Sequence, residues 1–148
     1  MANETLIATL KETLCEVSEK LAQSEAALAQ LREELAAFRE ILQHARHRET
    51  QANCQYEEVF KKYRELLATS SSLPHRPYPL VEKIGELSAS QMKAHDNRLA
   101  AKEAVTKYQE QVRVAEVRLE MQETKRQSLQ KASDDLTWQI GKLSAARH

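Results

Sequence analysis

The chain has 148 residues, enough for one domain, and its 22 basic and 22 acidic side chains give a formal net charge of zero. Aromatic residues at 5%, charged residues at 30% and only two glycines exclude a globule with a thick core and favour long helices or a coiled coil. The neutral charge argues against a nucleic-acid binder that neutralises phosphates, and no apolar run approaches the length of a membrane span.

The first predicted helix covers residues 4–68, and one spacing of apolar residues continues along it. Alternating steps of three and four residues pass through eighteen positions, sixteen of them apolar when Ala and Tyr are counted. A period of 3.5 residues sustained this long is typical of a left-handed coiled coil. This first seam consists of Ile7, Leu10, Leu14, Val17, Leu21, Ser24, Leu28, Leu31, Leu35, Phe38, Leu42, Ala45, Glu49, Ala52, Tyr56, Val59, Tyr63 and Leu66.

The predicted turn, residues 69–79, contains all three prolines of the chain. They follow three serines in the segment SSSLPHRPYP, residues 70–79. Proline lacks a backbone N–H and clashes with the preceding helical turn, so this cluster ends a helix that nothing else would end. Leu73 and Tyr78 are predicted to pack against Phe60, Leu67 and Val81 as a cap on the turn. The PxxP spelled by PHRP also allows recognition by a domain that binds polyproline II helices.

The second predicted helix covers residues 80–145, and Pro79 suits its first turn, where a missing N–H costs nothing. The same walk passes through nineteen positions here, fourteen of them apolar. This second seam consists of Leu80, Ile84, Leu87, Gln91, Ala94, Arg98, Ala101, Val105, Tyr108, Val112, Ala115, Leu119, Gln122, Arg126, Leu129, Ser133, Leu136, Ile140 and Leu143.

Two nearly equal arms around one break predict an all-α, two-helix antiparallel coiled-coil hairpin, forming a single domain over residues 1–148. Each arm would be roughly 95 Å long. Charge agrees, because residues 1–70 carry 9 basic and 12 acidic side chains and residues 71–148 carry 13 and 10, giving −3 and +3. Two alternatives stay open: hairpins that dimerise into a four-helix bundle, and a long parallel dimer broken at the prolines.

The hairpin predicts a register in which the position numbers of partner residues add up to 150. This register pairs Leu35 with Ala115 and centres the turn on His75. It places Arg98 opposite Ala52 and Arg126 opposite Ser24, where a long cationic side chain can lay its stem on the seam and send its charge outward.

Trp138 is the most informative single residue, because its heptad position points away from the seam. A lone outward tryptophan either packs along its own helix or anchors another chain. Leu99, Val114, Val117 and Met121 also lie off the seam. Together with Trp138 they are the candidate partner-binding residues, and the alternative is ordinary scattered surface apolar side chains.

His44 and His47 are three residues apart and could share a metal ion, but they take outward positions without an obvious further ligand. We therefore expect a solvated basic patch with Arg46 and Arg48. No glycine-rich phosphate loop, nucleophile elbow or HExxH motif occurs, so no catalytic, cofactor-binding or metal-binding residue is predicted and the chain is expected not to be an enzyme.

The function predicted from these features is that of a structural or scaffolding protein that mediates protein–protein interaction, as in cytoskeletal, tethering or multi-subunit assemblies. In length and predicted shape the chain is similar to the stalk proteins of flagellar and type III secretion ATPases, so a stalk or chaperone-like subunit is the alternative. Expected partners are proteins, with a homodimer as one case. Cys15 and Cys54 lie roughly 58 Å apart along one helix and cannot pair within it, which favours a reducing, cytoplasmic location.

Overall fold

The structure, a computed structural model, describes residues 2–146 as two helices joined by a short turn. Helix α1 is Ala2–Ser71, 70 residues long, and helix α2 is Tyr78–Ala145, 68 residues long. No strand occurs within residues 2–146, and the two helices pack against each other as the predicted all-α hairpin. The helices run antiparallel, because the first half of α1 meets the second half of α2 where Ser24 contacts Gln122.

Burial follows the two predicted seams. All eighteen residues of the first seam and all nineteen of the second are buried or half-buried, and neither seam slips in phase. The residues between seam positions are mostly exposed, so a narrow contact between the helices takes the place of a thick core. Removing a leucine side chain from water in such a contact contributes about 1.5–3 kcal/mol, and the repetition of this contribution holds the helices together.

The packing divides the chain into two compact units. Unit 1 combines residues 2–37 with residues 113–146, and its buried side chains are those of Ile7, Ser24, Leu28, Leu35 and Ala115. Unit 2 is residues 38–112 and includes the turn. Its buried side chains are those of Leu42, Ala45, Ser70, Ala94, Val105 and Val112.

Backbone hydrogen bonds define both ends of the turn. At the end of α1 the N–H groups of Ser72 and Leu73 donate to carbonyls three residues earlier, at 3.3 and 3.2 Å, which tightens the last turn. At the start of α2 the N–H groups of Leu80 and Val81 both donate to the Pro77 carbonyl, at 3.0 and 3.1 Å. Pro79 lies in the first turn of α2, as predicted.

Both helices are longer than predicted at the turn, since α1 includes residues 69–71 and α2 begins at Tyr78. The serines do not end α1, because hydroxyl groups can bond to the helix itself: Ser71 Oγ donates to the Leu67 carbonyl at 2.9 Å. The helix stops only at the residues before Pro74, where the proline ring disfavours helical geometry in the preceding residue. The predicted cap on the turn is wrong, since Leu73, Tyr78 and Val81 are all exposed.

Ser70 occupies the position that follows Leu66 in the first seam, and its side chain is fully buried. Its Oγ has no hydrogen-bond partner. A buried hydroxyl without a partner costs about 1–3 kcal/mol, judging from mutational data. The seam therefore continues to the last turn of α1 but ends in an unfavourable side chain.

We predict that Ser70→Ala stabilises the protein by about 1 kcal/mol, because it removes the unpaired hydroxyl and improves helix propensity. Ser71→Ala is the matched control, since the exposed hydroxyl of Ser71 already donates to a carbonyl. Urea unfolding followed by circular dichroism measures both. A Ser70→Ala variant less stable than Ser71→Ala would contradict the burial of an unpaired group.

Leu28→Ala is predicted to destabilise the protein by about 2–5 kcal/mol, because it leaves a cavity in the seam of unit 1, where Leu28 is fully buried. Leu6→Ala makes the same change at an exposed position of the same helix and should cost less than about 1 kcal/mol. The midpoint of urea unfolding distinguishes the two. Equal losses would mean that the seam does not carry the stability.

Candidate interaction surfaces

Polar side chains contact each other across and beside the seam of unit 1. Gln122 Nε2 donates to Ser24 Oγ at 2.8 Å, so two polar seam residues satisfy each other. Arg126, predicted opposite Ser24, donates from its guanidinium to Glu123 Oε1, through Nε at 3.0 Å and Nη2 at 2.7 Å. This is a charge-assisted pair with a half-buried carboxylate, the stronger kind of side-chain hydrogen bond.

Glu123 also connects the helices of unit 1. Its other carboxylate oxygen, Oε2, accepts a hydrogen bond from Arg32 Nη2 at 3.3 Å. Arg32 lies four residues after the seam residue Leu28, and Glu123 lies four residues after the seam residue Leu119. Corresponding flanking positions of an antiparallel pair face each other. This ion pair therefore joins the two helices along one side of the seam.

In unit 2 the ring of Tyr56 on α1 contacts two side chains of α2 across the seam. Arg98 places its guanidinium carbon 4.0 Å from the centre of the Tyr56 ring, within the range of a cation–π interaction. His95 lies against the same ring, with ring centres 5.7 Å apart. Arg98 Nη2 donates to His95 Nδ1 at 3.0 Å, because a guanidinium has no acceptor. The Arg98 guanidinium thus lies over Tyr56, four residues after Ala52, the residue predicted to lie opposite Arg98.

An open groove of about 390 Å³ lies beside this cluster. It is lined by Glu49, Asn53, Arg98, Leu99 and Lys102, so it connects the two helices of unit 2 on one side of the seam. Its charged lining residues are the cations Arg98 and Lys102 and the carboxylate Glu49, and its apolar lining residue is Leu99. Leu99 is the one candidate partner-binding residue in unit 2.

The other candidates belong to unit 1, and the structure brings three of them together. Val114, Val117 and Met121 lie on successive turns of α2, three and four residues apart, and are called the Val–Met cluster. Val117 and Met121 are exposed and Val114 is half-buried, so Val114 offers less outward surface than its position suggested. The cluster is a small apolar patch on one helix.

Trp138 is separate from the Val–Met cluster, because it lies 17 residues after Met121, roughly 26 Å along α2. Its side chain is 65% exposed. Lys142 Nζ lies 4.9 Å from the ring centre, so a cation from the next turn contacts the indole. The indole therefore contacts a residue of its own helix, and most of its surface remains exposed to solvent.

Among the exposed apolar side chains of unit 2 whose exposure sequence reasoning missed, three lie on α2: Tyr78, Val81 and Met92. Met92 and Leu99 are seven residues apart, and Tyr78 and Val81 are three apart. A second walk at the 3-4 spacing, started outside the seam, would have found them.

His44 and His47 lie on the exposed surface of α1. His44 Nε2 is 3.9 Å from Glu40 Oε1, and His47 Nε2 is 3.2 Å from Gln51 Nε2. Among residues 2–146, no group of three or more His, Cys, Asp or Glu side chains is arranged to hold a metal ion. The PxxP prolines, Pro74 and Pro77, lie in the exposed turn, and Cys15 and Cys54 are exposed free thiols.

No helix within residues 2–146 is long and apolar enough to cross a membrane. Comparisons with protein-family models, with curated proteins and with solved structures give no significant match to the chain.

We expect the double substitution His44→Ala and His47→Ala to leave the melting temperature unchanged, because both side chains are exposed and neither contacts the seam. Calorimetry with and without added zinc is the measurement. If zinc raised the melting temperature of the original chain by many degrees and the double variant lost that increase, the two histidines would be metal ligands.

Proposed function

We propose that the chain is a non-enzymatic structural or scaffolding protein that mediates protein–protein interaction within a larger assembly, such as a cytoskeletal or tethering assembly. The observation that supports this most directly is the exposure of its one tryptophan. The seams bury or half-bury every one of their apolar residues, whereas Trp138 remains 65% exposed. Exposed aromatic side chains of this kind are typical hot spots of protein interfaces.

In this proposal the contact points are Trp138 and the Val–Met cluster, each of which binds another protein. Lys142 covers part of the indole, so a partner would receive a ring whose orientation is already restrained. Restraint of this kind lowers the entropic cost of binding. The free thiols of Cys15 and Cys54 fit a reducing compartment, and the proposal therefore includes a cytoplasmic location.

Trp138→Ala is predicted to leave helicity unchanged and to weaken a partner complex about tenfold or more, because it removes an anchor without touching the seam. The full-length chain, tagged in the cells that produce it, is compared with this variant by quantifying the proteins that co-purify. Lys131→Ala is the matched control, since Lys131 is exposed and lies seven residues earlier on the same face of α2.

The sole tryptophan gives a second readout in the purified complex. Its fluorescence should shift to shorter wavelength when a partner covers the ring, and the Lys131→Ala variant should show the same shift. A large loss of helicity in Trp138→Ala would instead assign the tryptophan a structural role. An ATPase among the proteins lost with Trp138 would favour the alternative, a stalk or chaperone-like subunit of a secretion or ATPase machine.

A further inference from the structure

We draw no further inference here: the strongest candidate, the row of exposed apolar side chains that α2 carries beside the seam of unit 2 (Tyr78, Val81, Met92 and Leu99), is an unpartnered face, and nothing in the structure shows what covers it.

Discussion

Burial along a 3.5-residue period is the interaction on which the other features of this protein depend. A two-helix contact has no thick core, so each leucine, isoleucine or valine of the seam is shielded by only a few neighbours on the facing helix. The contact persists because thirty-seven seam positions in succession are kept from full exposure. Each contributes modestly, and the sum offsets the conformational entropy of ordering two helices of about 70 residues.

Polar residues within the seam add specificity to this repetitive contact. An apolar seam alone would accept several registers differing by a heptad. Gln122 donates a hydrogen bond to Ser24 across the helices, and the Arg98 guanidinium lies over the Tyr56 ring. A register shifted by a heptad would separate these partners. Such residues typically set register and partner at some cost in stability. Ser70 shows the cost without the benefit, because its buried hydroxyl has no partner.

The residues that flank the seam differ between the two units. In unit 1 the ion pair of Arg32 with Glu123 covers one side of the contact. In unit 2 the same positions hold the apolar Phe60 and Leu67 together with the cations Arg46 and Lys102. One heptad framework thus carries different side chains beside the seam in the two units.

The sequence by itself determined the helices, the turn and the seam, because a sustained period and a cluster of prolines are local signals that no distant contact overrides. It also indicated the exposure of Trp138, Met121 and Val117, since heptad position fixes the side of a helix on which a residue lies. Only the tertiary structure decided which polar groups pair. The Arg126 guanidinium pairs with Glu123 Oε1 at 2.7 Å, a contact that heptad position alone does not specify. The pairing of Asn53 with Leu99 along one groove likewise required the two helices to be placed side by side.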